Sequence, residues 1–232
     1  MALILSSDVI KRFRSEVNDL LNGPTEAPDN DALWKEWEVQ AYLDAATAET
    51  SRRGRMLIKH FLIQAPAATG PFYKLPGSYI VLDVNYAYSR VGRRKLTEYN
   101  LDDRHFRNDY GMPIEASFDH GFADYGYGYY RDYDTTGILI TPRARMDDVI
   151  ELIATVEVTN VPCGAPMPFG EEADIALVIL WMKKLAYSKR DADTFDPGAA
   201  NEAESKFALA IEERRNDALR RRRTVGTTRF SW

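Results

Sequence analysis

Apolar residues recur at helical spacing near both ends of the chain and alternate with polar ones through its middle. Val9, Ile10, Phe13, Val17, Leu20 and Leu21 fall on one face of a helix that Ser7 can cap, while Lys11, Arg12, Arg14 and Glu16 face outward. Gly23-Pro24 ends that pattern. Asp31 can cap a second helix, whose stripe of Trp34, Trp37, Ala41, Tyr42, Ala45 and Ala48 fades near Arg52-Arg53-Gly54. Between residues 57 and 158 the period changes to short β-type runs at 57–64, 79–84, 138–141 and 149–158, separated by Gly and Pro signals. In the last run Ile150, Leu152, Ala154, Val156 and Val158 share a face opposite Glu151, Thr155 and Glu157. A proline-rich crossing at 161–168 leads back to helix. Residues 171–189 are apolar on almost every side, and Asp196-Pro197 opens a final helix with Ala200, Ala203, Phe207, Ala210 and Ile211 inside.

This order predicts an α+β fold. Residues 1–55 and 165–219 form a helical bundle around an inserted β domain at 56–164, built as an antiparallel sheet or sandwich, because no helical pattern separates the strands. With 232 residues, 45% of them hydrophobic, the chain can bury one good core or a core with a smaller layer. A single cysteine, Cys163, excludes an internal disulfide and a cysteine zinc cluster and fits a reducing compartment. The longest apolar run, 175–182, is too short to span a membrane, and the first residues lack the basic region of a signal peptide. These features predict a soluble protein of cytosol-like conditions, with no membrane partner.

Charge is segregated. From Arg214 onward there are seven arginines and one acid, Asp217, a net of +6 on a chain of −5, which leaves −11 for the rest. Arg220, Arg221, Arg222 and Arg223 form one block. After it come Thr224, Thr227 and Thr228, which favour extended backbone, Gly226, which can bend it, and Arg229, Phe230 and Trp232 as anchors. Residues 220–232 therefore read as an extended tail that adds itself to another chain. The plainer reading continues the arginine block as a solvated helix end, where cations suit the dipole.

Candidate chemistry is sparse. His60, His105 and His120 belong to no metal-binding or nucleophile-activating pattern, and Asp119-His120 is more simply a polar turn than an acid–base pair. Gly121, Gly126 and Gly128 do not have a phosphate-binding spacing. The acids Asp191, Asp193 and Asp196, with Glu202, evoke a calcium loop but place Phe195 and Asp196 where a ligand and a glycine are required. No cofactor, metal or catalytic residue is expected. Tyr125, Tyr127, Tyr129, Tyr130 and Tyr133 crowd one stretch beside Phe118 and Phe122, and read equally as an interface loop or as a hairpin alternating between core and surface.

Several short motifs stand in a telling order. Leu33-Trp34-Lys35-Glu36-Trp37 leads into Ala41-Tyr42-Leu43-Asp44-Ala45-Ala46, followed by Tyr73-Lys74-Leu75-Pro76 and Tyr79-Ile80-Val81-Leu82-Asp83. Then come Gly111-Met112-Pro113, Gly137-Ile138-Leu139-Ile140-Thr141-Pro142, and Leu185-Ala186-Tyr187 running on to Asp196-Pro197. This set, covering roughly residues 31–211, resembles the head-to-tail adaptors (connector, neck or tail tubular proteins) of tailed bacteriophages, especially the short-tailed type. The Tyr-rich stretch at 121–134 has no counterpart in it. The resemblance implies a non-enzymatic structural protein of the virion neck, made in the host cytoplasm. It implies a ring of identical subunits, commonly twelve, between the portal protein and the tail or nozzle proteins. Double-stranded DNA would pass through the lumen without specific binding, past an acidic body that repels phosphate.

On that reading Arg220, Arg221, Arg222, Arg223, Arg229, Phe230 and Trp232 meet the portal, and Tyr125, Tyr127, Tyr129 and Tyr130 meet the tail or a neighbouring subunit. Two other classes remain: a basic-tailed nucleic-acid-binding protein, and a small acid–base enzyme using Asp119 and His120 or the acids at 191–196.

Overall fold

The first helix is short for a physical reason. In the computed structural model, which describes residues 3–19, 33–64, 72–75, 79–90, 93–98, 128–130, 136–141, 149–190 and 194–225, α1 spans Ser6–Glu16 and buries Val9 and Phe13. Asn18 turns left-handed at φ 55, and the buried Asp19 takes an ion pair from Arg14 at 2.6 Å and the Leu33 N–H at 2.9 Å. The chain is thereby locked out of helix before Leu20 and Leu21, which lie outside the described residues. Ser7 does not cap α1; its N-cap is Leu5, with no side-chain cap.

Helix α2, Glu36–Gly54, begins later than its expected cap Asp31, which also lies outside the described residues. Its start is set by Glu38, whose carboxylate accepts the Lys35 N–H at 2.9 Å. Val39, Leu43, Ala46 and Thr50 are buried. The expected stripe is split: Trp34 is buried at 1% exposure, whereas Trp37 is 68% exposed. The two are three residues apart, but Trp34 precedes the helix and turns inward against Phe13 and Tyr187, with ring centroids 6.0 and 6.1 Å away. Trp37 sits on the helix itself, on the side away from its buried residues. Gly54 closes α2 where a Cβ would come within 3.0 Å of Ile211 Cδ1, and Arg55 follows left-handed at φ 48.

Helices α3 (Glu172–Tyr187) and α4 (Pro197–Val225) come from the far end of the chain. α3 packs against α1, α2 and α4. It buries Ile175, Leu177, Val178, Ile179, Trp181 and Met182, the wide apolar surface its sequence predicts. These helices and residues 157–171 form one compact unit, Met1–Leu57 with Glu157–Trp232. The proline-rich crossing is held there by the N-terminus: Leu5 bridges Pro166, the Ser6 N–H donates to Ala165 O at 2.9 Å, and the Met167 N–H donates to Ile4 O at 2.8 Å.

The second unit, Ile58–Val156, carries the strands. These are β1 (Ile58–Gln64), β2 (Phe72–Lys74), β3 (Tyr79–Ser89), β4 (Arg94–Lys95), β5 (Thr97–Glu98), β6 (Gly128–Tyr130), β7 (Gly137–Thr141) and β8 (Val149–Val158). They form two four-stranded sheets, ordered β1-β8-β3-β4 and β2-β7-β6-β5. The expectation of a purely antiparallel arrangement fails at one pair: β5 runs parallel to β6, since a long connection joins them and no tight turn dictates their direction. On β8 the predicted inward residues are buried, but Thr155 opposite them is also buried and accepts a hydrogen bond from Asn85 Nδ2 at 3.1 Å. Among the described residues the fold is thus mixed α+β, with four helices and small, mainly antiparallel sheets.

Phe207 is fully buried and packs on Trp181 with ring centroids 4.7 Å apart. Phe207→Ala is expected to cost about 3–5 kcal/mol, read as a lowered urea midpoint with an unchanged slope.

Candidate functional site

The feature best placed for binding is the C-terminal half of α4. Asp196 caps the helix, its Oδ1 accepting the Ala199 N–H at 2.9 Å, and Pro197 occupies the first helical position. The Asp196 N–H bonds to Tyr187 O, Phe207 meets Trp181, and Arg214 reaches Asp174 and Glu171. As α4 advances its partners retreat along α3, so the two helices are antiparallel. Arg214 grips Asp174 through Nε (2.9 Å) and Nη2 (2.6 Å), and also takes Glu171 at 2.6 Å. Asp174 is buried and Arg214 half-buried, so the fork anchors α4 at the start of α3.

Residues 215–225 continue as helix past that anchor, about 16 Å of rod at 1.5 Å per residue. Here the structure differs from the expectation that the chain becomes extended at Arg220. Arginine is a good helix former, and cations at a helix C-terminus are favoured by its dipole, so the block extends the helix. Arg220 is exposed and lies 3.6 Å from Asp217. Arg229, Phe230 and Trp232 lie outside the described residues.

The tyrosine stretch is only partly described: Tyr125 and Tyr127 fall outside it. Tyr129 and Tyr130 form β6. Tyr129 is 5% exposed, stands opposite Ile140 of β7, and its hydroxyl donates to Glu98 at 3.3 Å. Strand alternation turns Tyr129 into the sheet's covered face, so its ring serves packing and is not presented to a partner.

The sparse catalytic candidates separate similarly. His105, Asp119 and His120 lie outside the described residues, as do Asp191 and Asp193. Asp196 is consumed as a helix cap and Glu202 pairs with Lys206 at 2.6 Å, so these two do not converge on a cation. His60 Nε2 lies 2.9 Å from Glu151 on an exposed sheet position. No group of three or more His, Cys, Asp or Glu among the described residues is placed to hold a metal, and no described helix is long and apolar enough to cross a membrane. An open cleft of about 440 Å³ lies between Leu3, Ile4, Asp8, Lys11, Arg12 and Glu172, with the Arg12–Glu172 ion pair across it.

Sequence reasoning missed two polar anchors. One is the Arg214 fork, hinted at only by two acids three residues apart where α3 begins. The other is Glu38, which is buried and pairs with Lys189 at 2.8 Å. Burial alone would raise the Glu38 pKa; hydrogen bonds from Lys189 and the Lys35 N–H, with both lysine charges, outweigh it and hold the carboxyl below its ordinary value. No protein-family model matches the chain, and no curated protein sequence matches it.

A carboxylate with a depressed folded-state pKa stabilises the protein above its unfolded pKa of about 4.3 and loses that contribution as pH falls through the folded value. Glu38→Gln should therefore flatten the acid limb of a stability–pH curve below about pH 4.3. Arg214→Met, which strands the buried Asp174 without its cation, should cost about 3 kcal/mol in urea unfolding.

Proposed function

We propose that this protein is a structural head-to-tail adaptor of a tailed phage, joining a portal ring to the tail. It would act as a ring of identical copies around a DNA channel, with its helices as the adaptor bundle and its strands as the inserted domain. The observation that carries the reading is that α4 runs on as helix past the Arg214 anchor to Val225, with the basic block in its last turns. That design suits a protein whose last residues must reach into another chain. The ordered motifs between residues 31 and 211 point the same way. So does the unequal charge: an acidic body lets DNA slide, while the arginines meet portal carboxylates.

In this reading Arg220, Arg221, Arg222 and Arg223 govern encounter rate and salt dependence, whereas Phe230 and Trp232 set residence time. Deleting residues 226–232 should leave a folded protein, judged by its circular dichroism and melting, that no longer stays on portal-closed heads through a sucrose gradient. Replacing the four arginines of the block by Gln should slow association and weaken its salt dependence, with a smaller change in dissociation rate. Truncated protein that stays on heads as firmly as the parent would remove the C-terminus from the joint. A basic-tailed nucleic-acid binder would behave differently, with a salt-sensitive DNA affinity that disappears with residues 220–232.

A further inference from the structure

We propose that residues 226–232 dock in the cleft beside α1 of their own subunit, which keeps Phe230 and Trp232 covered until a partner displaces them. The displacement rests on the adaptor reading; the docking itself does not.

Position and reach select this occupant. Leu3, Ile4, Asp8, Lys11 and Arg12 line the cleft from α1 and the residues before it, and Glu172 lines it from the start of α3. α4 is held at the same end of the helical unit, because Arg214 pairs with Glu171 and Asp174 on either side of Glu172. From Arg214 the helix runs on to Val225, about 16 Å further. Packed helices lie about 8–10 Å apart, so Val225 is on the order of 20 Å from Glu172. Seven extended residues span about 23–25 Å, enough to fold back to the cleft. Gly226, the first residue past the helix, suits the reversal this requires.

The chemistry of the segment matches the lining. Leu3 is 76% exposed, so the apolar part of the cleft is uncovered among the described residues. Glu172 is taken up by Arg12, whereas the Asp8 carboxylate has no hydrogen-bond or ion-pair partner among the described residues. Residues 226–232 bring Phe230 and Trp232 for Leu3 and Ile4, Arg229 for Asp8, and no acid to oppose it. A volume of about 440 Å³ takes a few side chains and not a second helix. A weak contact suffices here, since a short tether gives an effective concentration in the roughly millimolar range. At micromolar protein that favours the subunit's own segment over a neighbour's by roughly a thousandfold.

Two measurements on the full chain test this. In a Cys163→Ser background, Leu3→Cys with Ser231→Cys should close an intramolecular disulfide under mild oxidation. It should form at least tenfold faster than with Asn216→Cys in place of Leu3→Cys, an exposed α4 position also within reach. Adding Arg229→Glu should slow the first crosslink tenfold. Chymotrypsin, followed by intact mass, should remove residues 231–232 at least tenfold faster from Leu3→Glu than from the parent, with melting unchanged. Equal crosslinking at residues 3 and 216 overturns the proposal, as does a crosslink at residue 3 that forms between chains and rises with concentration. Cleavage indifferent to Leu3→Glu also overturns it. Association with portal-closed heads is a separate measurement, which Leu3→Glu should speed by releasing the segment. If the crosslink and the protection are as expected but heads bind neither parent nor variant, the adaptor reading alone falls.

Discussion

Everything in the helical unit depends on fixing the chain as it returns from the strands. α1 and α2 precede the inserted unit and α3 and α4 follow it, so their shared core exists only if residues 157–171 arrive in one place. Five hydrogen bonds enforce that. The backbone of Val161 is recognised on both its N–H and its C=O by Asp44 and Gln40, Ser6 Oγ donates to Pro162 O at 3.1 Å, and Ile4 and Ser6 bond along 165–167 like a short strand. A crossing containing Pro162, Pro166 and Pro168 cannot donate at those positions, and its Val161 N–H and C=O, Pro162 C=O, Ala165 C=O and Met167 N–H are matched individually by side chains and by the N-terminal residues.

Much of the architecture was legible because it rests on periodicity. The α3 pattern, the Asp196-Pro197 start of α4 and the 149–158 strand follow directly from apolar spacing and capping chemistry, as does the α+β class. What was illegible depended on tertiary partners. Nothing local says that Asn18 will turn left-handed or that Asp19 will reach Leu33, so the apolar stripe runs on past the point where α1 ends. Nothing in the spacing of Trp34 and Trp37 tells which of the two enters the core. The parallel sense of β5 against β6 is not encoded in the pattern of either short strand.

The candidate site shows the same division. The arginine block is plain in the sequence, but its conformation was decided by the competition between helix propensity and the extended signals after it, and the helix carries on to Val225. Tyr129 belonged to an aromatic cluster whose composition suits an interface, yet one strand of three residues turned it inward. Composition singled out Tyr129, and strand register buried it. The Arg214 fork was invisible because its two acids and its guanidinium are some 40 residues apart in sequence and meet only when α4 reverses along α3.

The discontinuity of the helical unit also bears on how the protein is made. Synthesis delivers α1 and α2 first, then the whole strand unit, and only afterwards α3 and α4, which pack on them. The strand unit is continuous in sequence and can close while the chain is still growing, whereas the first two helices must wait, with their apolar faces uncovered, for more than half the chain to emerge. During that interval those faces have none of this chain's later helices to pack on, and the unit closes only when α3 and α4 arrive.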